Sequence, residues 1–403
     1  MTKPLAPIAR DPTLRLIVAI LFLFGGSASA IAPYQALIGI GVYGLPDWAW
    51  SLVMLSSSLV AVASSVSFGI VTDQLDSRRP AVVACALLAI AGGLLVWFAD
   101  TPAAFLLVHI LFWPAAGTLF GQLFTLARPA ARRYDKAERE PLIATVRALF
   151  ALAFVFALPL WSAAFAAGAP LRIVYPVIAA IGAAILAITA VFWSPNMSAE
   201  LRAERSGLSF FAALSQVVAV PILARVLLLS AITSANVLYM SMMGLLFAAA
   251  PGRDFSDAAL FLMCVTALEV PLMIAAGSWV GRFGKVRLIT FGGLFYAGFL
   301  LAYVLLISSP AIWFMALPAA LGAALILSVP IGYLQDLLAD RPGAGGSLLA
   351  VNQVTGFGIA AALFALGTAV GTYTTVAVLG AAVTALASLA LARLEIRAGK
   401  WGH

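Results

Sequence analysis

The sequence predicts an all-α membrane protein with twelve transmembrane helices in two six-helix pseudo-symmetric halves. Three observations lead there. The 403 residues are 64% hydrophobic and 10% charged, with mean hydropathy +1.08, whereas soluble domains carry about 25% charge. Apolar runs of the roughly 20 residues needed to cross the hydrocarbon core recur twelve times. The basic residues gather in alternate loops between those runs, as the positive-inside rule requires. Alternation with a two-residue period is absent, which excludes a β-barrel.

Span 1, about 15–41, follows Lys3, Arg10 and Arg15. Its basic start and Ser27-Ala-Ser-Ala30 resemble a secretory leader. Removing it would leave eleven spans, so an uncleaved first helix is expected. Span 2, about 48–72, ends on Arg78 and Arg79, and span 3 occupies about 79–99. Span 4, about 102–127, is followed by Arg128, Arg132, Arg133, Lys136 and Arg139. Spans 5 and 6, about 141–167 and 171–194, precede Arg202 and Arg205. Spans 7 and 8, about 216–249 and 256–280, lead to Arg282, Lys285 and Arg287. Spans 9 and 10, about 286–307 and 310–338, lead to Arg341. Spans 11 and 12, about 344–370 and 373–393, end on Arg393, Arg397 and Lys400. Nineteen of the 23 Lys and Arg therefore lie on one side, which places both termini in the cytoplasm. The opposite loops hold Arg172 and Arg253 beside Asp47, Asp100, Asp254 and Asp257.

The net charge of +7 sits in these short loops. No soluble basic domain exists to make phosphate contacts, so no nucleic-acid partner is expected. Cys85 and Cys264 both fall inside spans and read as small buried residues rather than a disulfide. There is no phosphate-cradling glycine loop, no Cys/His ligand cluster and no nucleophile elbow. The protein is therefore expected not to be an enzyme, and to need no cofactor and no metal.

A loop segment repeats after spans 2 and 8. The first copy is Gly69-Ile-Val-Thr-Asp73-Gln-Leu-Asp76-Ser-Arg78-Arg79. The second is Gly277-Ser-Trp-Val-Gly281-Arg282-Phe-Gly284-Lys285-Val-Arg287. The expected domains are residues 1–194, a cytoplasmic linker 195–215, and 216–403. A glycine allows close helix approach, and an acid with a basic cluster can cap helix ends and pair across a loop. The segment resembles the loop 2–3 signature of the major facilitator superfamily. Gly69, Asp73, Arg78 and Arg79 match in the first copy, and Arg282, Gly284 and Lys285 in the second. Gln74, Asp76 and Gly281 depart from it. The resemblance implies two rocking halves, a site near midplane between them, and a cytoplasmic latch made by Gly69, Asp73, Arg78, Arg79, Gly277, Arg282, Gly284 and Lys285. Asp336, at the cytoplasmic end of span 10, reads as a capping or gating carboxylate.

Further stretches resemble the sugar efflux transporter family. They are Gly121-Gln122 through Arg128, Val146-Arg147-Ala148, Ser234-Ala-Asn236-Val-Leu-Tyr239, Leu268-Glu269-Val-Pro271-Leu-Met273, Phe295-Tyr-Ala-Gly298 and Tyr333-Leu-Gln335-Asp336. Ala157-Leu158-Pro159 and Val351-Asn352-Gln353-Val354 fit less well. The resemblance implies a bacterial inner-membrane exporter, expected to be a monomer, that moves a sugar or similar polar metabolite outward against an entering proton. A multidrug exporter is the rival within transport, since Met240, Met242, Met243, Met263 and Met273 suit apolar ligands as well as packing. A non-transporting sensor or scaffold is the rival from another class.

Glu269 lies about halfway through span 8. A charge at that depth costs roughly 2.5–3.5 kcal/mol on insertion scales, so it faces protein or water. Burial disfavours the charged form, which suits reversible protonation. Pro271 lacks an N–H and loosens the helix beside it. The alternative is a structural carboxyl bonded to a neighbouring helix. Arg147 in span 5 cannot be neutralised, so it anchors a substrate oxygen or carboxylate, or snorkels to the surface. Arg225 in span 7 reads as snorkelling. Asn236 and Tyr239 share one face of span 7. Amide plus phenol suits hydroxyl-rich ligands, as do Tyr34-Gln35 in span 1 and Asn352-Gln353 in span 11. Hydrogen bonding between helices is the alternative for all six. His109 could titrate but reads as a packing or hydrogen-bonding residue, and Trp113 and Trp161 as ligand-stacking or as interfacial or lipid-facing residues.

Overall fold

The structure, a computed structural model, describes residues 5–75, 77–194, 197, 220–337 and 345–399. Among them, twelve helices are long and apolar enough to cross a membrane, and no strand occurs. They are α1 (Pro12–Ile31), α2 (Asp47–Gln74), α3 (Arg79–Ala99), α4 (consecutive segments from Pro102 to Ala131), α5 (Lys136–Ala166) and α6 (Val174–Phe192). In the second half they are α7 (Val220–Ala249), α8 (Phe255–Phe283), α9 (Lys285–Leu306), α10 (Ala316–Asp336), α11 (Gly345–Val370) and α12 (Tyr373–Arg397). The protein is a multi-pass membrane protein.

Local chemistry sets the helix ends. Asp11 caps α1: its carboxylate accepts from the amides of Thr13 (2.8 Å) and Leu14 (3.2 Å), with Pro12 in the first turn. Thr101 caps α4, and Asp254 caps α8. Between α8 and α9 the chain turns within one residue. That residue is Gly284, with φ +81°, a left-handed backbone that disfavours any side chain.

Two spans are broken. The sequence predicted a continuous first span, but α1 stops at Ile31. The chain resumes as Gln35–Leu37 and a π-helical turn, Ile38–Val42. Pro33 accounts for the stop, because it has no N–H to continue the helical hydrogen bonds, although Ala32 before it keeps helical dihedrals. The fourth span runs as Pro102–Leu107, a π turn Val108–Phe112, Trp113–Gly117 and Leu119–Ala131, together called α4.

Packing repeats between the halves. Helix α1 packs on α5 and α6, and α7 on α11 and α12. Helix α3 packs on α6, and α9 on α12. Glycine makes the second pairing possible in both halves. A Cβ at Gly93 would meet the Tyr175 carbonyl and Ala179, and one at Gly293 would meet the Ser388 hydroxyl. Small residues of this kind let membrane helices approach. Side chains on the outside stay apolar, as Phe98 and Phe314 show, which suits lipid.

The chain packs as two compact units, Met1–Ala32 with Leu59–Ser206 and Pro33–Ser58 with Gly207–His403. The helix order divides six and six. The packing places the Pro33–Ser58 segment in the second unit. There Asp47 accepts a hydrogen bond from the Tyr373 hydroxyl (2.9 Å), and Ser241 contacts the Met54 sulfur (3.6 Å). The expected linker 195–215 falls outside the described residues except Met197.

Candidate functional site

Glu269 occupies the middle of α8, two residues before Pro271. It is half-buried, beside a stripe in which Leu268, Pro271 and Ile274 are exposed. The carboxylate makes no hydrogen bond or ion pair with any described residue. The reading as a structural carboxyl tied to a neighbouring helix therefore finds no bond here. Its neighbours are phenols: Glu269 lies close enough to Tyr239 of α7 and Tyr296 of α9 to act on both electrostatically.

Those phenols belong to an aromatic cluster inside the second unit. The Tyr239 ring packs edge-on against Tyr296 (6.4 Å between centroids), Phe299 (5.3 Å) and Tyr303 (5.6 Å). Phe247 and Phe261 close the Tyr303 side. The spacing on α9 puts Tyr296, Phe299 and Tyr303 on one face. Tyr239, Tyr296 and Tyr303 are all essentially inaccessible. The Tyr296 hydroxyl donates to the Asn236 side-chain oxygen (2.9 Å). The hydroxyls of Tyr239 and Tyr303 have no partner among the described residues. Leaving such a group buried and unsatisfied costs about 1–3 kcal/mol.

The sequence grouped Asn236 and Tyr239 as one ligand-facing pair. The structure instead gives Asn236 a bond to α9 and seats Tyr239 in the aromatic cluster beside Glu269. In α11, Asn352 accepts from the Ser230 hydroxyl (3.1 Å), while Gln353 is exposed on another face. Tyr34 is buried and Gln35 half-buried in the short segment after α1. Arg147 lies on α5, and its side chain is outside the described residues.

The repeated loops resolve into two pairings at equivalent places. Ahead of α3, the buried Arg78 donates to Gln122 of α4 (2.6 Å), and Arg79 donates to the Ala190 carbonyl near the end of α6 (3.2 Å). At the start of α9, Lys285 pairs with Asp336 of α10 (2.5 Å) and donates to the Gly332 carbonyl (3.3 Å). Asp336, read from the sequence as a capping or gating carboxylate, is the acid of that pair. Arg282 is exposed and lies over the Phe283 ring. Asp73 sits in the last turn of α2, its side chain undescribed. One expectation needs correcting. Within their own units no atom lies within 4 Å of a Cβ built at Gly69 or Gly277, so close helix approach inside a unit does not explain those glycines.

Sequence reasoning missed Glu395. It is buried in the last turns of α12, pairs with Arg225 of α7 and accepts from the Tyr333 hydroxyl of α10 (2.9 Å). Arg225 is accordingly an interhelical anchor, not the snorkelling side chain expected. The only sequence signal was an acid between Arg393 and Arg397, which reads as an ordinary loop charge. His109 packs as expected: its ring stacks on Phe105 (4.1 Å) and bonds to the Tyr175 hydroxyl (3.0 Å). Trp161 stacks on Phe165 (5.7 Å). Trp113 lines a cavity of about 40 Å³ with Ser27, Cys85 and Gly182. Among the described residues no group of His, Cys, Asp or Glu could hold a metal ion.

No protein-family model matches the chain. It is 26% identical to Sugar efflux transporter A of Escherichia coli (strain K12) over 347 residues, 84% of each chain. Its fold matches the crystal structure of a variant of the nucleoside transporter NupG with a TM-score of 0.81 at 14% identity, covering 95% of this chain and all of that one. The peptide transporter POT, crystallised as a variant with alafosfalin, matches at 0.74 and 14% identity, covering 96% and 95%. The fold is that of the major facilitator superfamily transporters. The relatives and the fold together support a membrane transporter rather than an enzyme, and they bear out the resemblance to sugar efflux transporters.

Proposed function

We propose that this protein, with its major facilitator fold, is a secondary exporter that moves a sugar or similar small polar metabolite out of the cell by proton antiport. The observation that carries the reading is Glu269, a mid-span carboxyl with no bonding partner among the described residues. A structural carboxyl in hydrocarbon is expected to be paired. One left unpaired can take up and release a proton without breaking a bond to another helix. Similarity to a sugar efflux transporter supplies the substrate class and the direction. The base distribution supports cytoplasmic termini, and a bacterial inner membrane fits both.

In this reading substrate and proton bind in alternation. The proton neutralises Glu269 from the outer side and leaves to the cytoplasm, and substrate moves the other way. Tyr34, Gln35, Arg147, Asn236, Asn352 and Gln353 remain the candidate substrate contacts. Tyr239 shifts role, from ligand contact to neighbour of the carboxyl. Gly69, Asp73, Arg78, Arg79, Gly277, Arg282, Gly284, Lys285 and Asp336 form the proposed cytoplasmic latch. The protein acts as a monomer.

Everted vesicles loaded by a pH gradient test this with a panel of radiolabelled mono- and disaccharides. Sugar should accumulate with the gradient, and Glu269→Gln should cut that flux by about tenfold or more while binding survives. Gradient-driven flux at the original rate in Glu269→Gln removes Glu269 from the mechanism. Dye accumulation without sugar movement favours the multidrug reading instead.

A further inference from the structure

The aromatic cluster holds polar groups that neither packing nor the transport scheme uses. Tyr239 and Tyr303 are fully buried, and their hydroxyls find no partner among the described residues. Buried hydroxyls in native proteins are satisfied by protein or by ordered water. Both belong to one compact unit and touch ring to ring. Their heights differ in a useful way. Tyr303 lies one turn from Leu306, the end of α9 that is remote from Lys285. Tyr239 lies near the middle of α7, beside Glu269. The sequence Tyr303, Tyr239, Glu269 therefore runs from one end of the bundle to mid-span. The end it starts from carries the acids Asp254 and Asp257 on the first turn of α8.

We propose that Tyr303 and Tyr239, joined by ordered waters, form the path along which protons reach Glu269 from the acidic end of the second unit. This rests on the reading of Glu269 as the proton carrier. Each transfer balances. A phenol oxygen takes a proton from a water on the entry side and releases its own hydroxyl proton to a water on the Glu269 side. Both rings end unchanged, and the proton comes to rest on the carboxylate. The rings of Phe299, Phe247 and Phe261 pack against the two tyrosines and give the path an apolar surround. Tyr296 is not part of the line, since its hydroxyl is committed to Asn236.

The charged and titratable groups around the path are few. Tyr239 of α7 and Tyr296 of α9 lie within electrostatic reach of Glu269. On α10, Tyr333 and Asp336 lie at the other end and are engaged by Glu395 and Lys285. At the entry, Arg253 pairs with Asp257 (3.7 Å) and donates to the Ile307 and Ser309 carbonyls at the end of α9. Cys264 shares α8 with Glu269.

The test follows the Glu269 carboxyl itself, so it needs no identified substrate. Purified full-length protein is given a rapid pH jump, and the carboxyl C=O stretch is followed by time-resolved infrared difference spectroscopy. The band that Glu269→Gln removes is the reporter. Tyr239→Phe and Tyr303→Phe keep the ring packing, and thermal melting shows whether each is folded. The expected result is protonation slowed about tenfold or more in either phenylalanine variant, with the size of the band unchanged. Original rates in both folded variants overturn the path and leave the Glu269 reading intact. If no band is lost in Glu269→Gln, the Glu269 reading fails and the path fails with it. Should one variant not fold, the other decides, because the path requires both hydroxyls.

Discussion

The two compact units treat their interior charged and titratable groups differently. In the first unit Arg78 has Gln122, His109 has Tyr175, and the Asp11 carboxylate has Arg133 (3.3 Å). In the second unit the charged and titratable groups divide by depth. Toward the end where Lys285 lies, Arg225, Glu395 and Tyr333 are bound to one another, and Lys285 to Asp336. Glu269 and Tyr239 at mid-span, and Tyr303 nearer the opposite end, lack bonding partners among the described residues. A membrane protein can leave an expensive group unpaired only where the rest of the unit is stable enough to bear it. Such groups mark chemistry more often than packing. The first unit therefore reads as scaffold around its described charged and titratable groups, and the second as scaffold at the Lys285 end and machinery beyond it.

That contrast can be broken by substitution, with effects read by thermal melting in detergent. The largest loss is expected for Glu395→Ala. It strands Arg225 in a buried site, which costs about 3–5 kcal/mol. A loss below 1 kcal/mol would mean that Arg225 finds water or another acceptor. In the first unit Gln122→Leu removes a neutral partner from Arg78, and about 1–3 kcal/mol is expected. Lys285→Ala breaks a pair whose acid is largely exposed, so about 0–1 kcal/mol is expected. The smallest effect belongs to Glu269→Gln. Nothing described is bonded to that carboxyl, so stability should hold or rise even as gradient-driven flux collapses. A large loss of stability there would show that Glu269 is a packing residue and would erase the contrast between the two depths.

Much of the fold was legible in the sequence. Each spanning helix satisfies its own backbone and faces lipid, so its presence depends on a local sum of hydropathy rather than on distant partners. The turn at Gly284 was visible in the repeated loop. The stop before Pro33 was not read, although proline announced it, because hydropathy runs unbroken across that position. Less of the site was legible. Asn236 and Tyr239 share a face of α7 as their spacing required, but spacing could not say that α9 covers that face with Tyr296, Phe299 and Tyr303.

By itself the sequence determined the number of helices, the grouping of bases and the depth of Glu269, since each of these is a property of one segment. Tertiary structure decided which polar groups are paired. Arg225 and Glu395 stand 170 residues apart, and each is an unremarkable charge near a helix end until two helices meet. Glu269 looks alike in sequence whether bonded or free. Only the rotation of α8 against α7 and α9 left it without a partner among the described residues, and that rotation is set by contacts among side chains far apart in the chain.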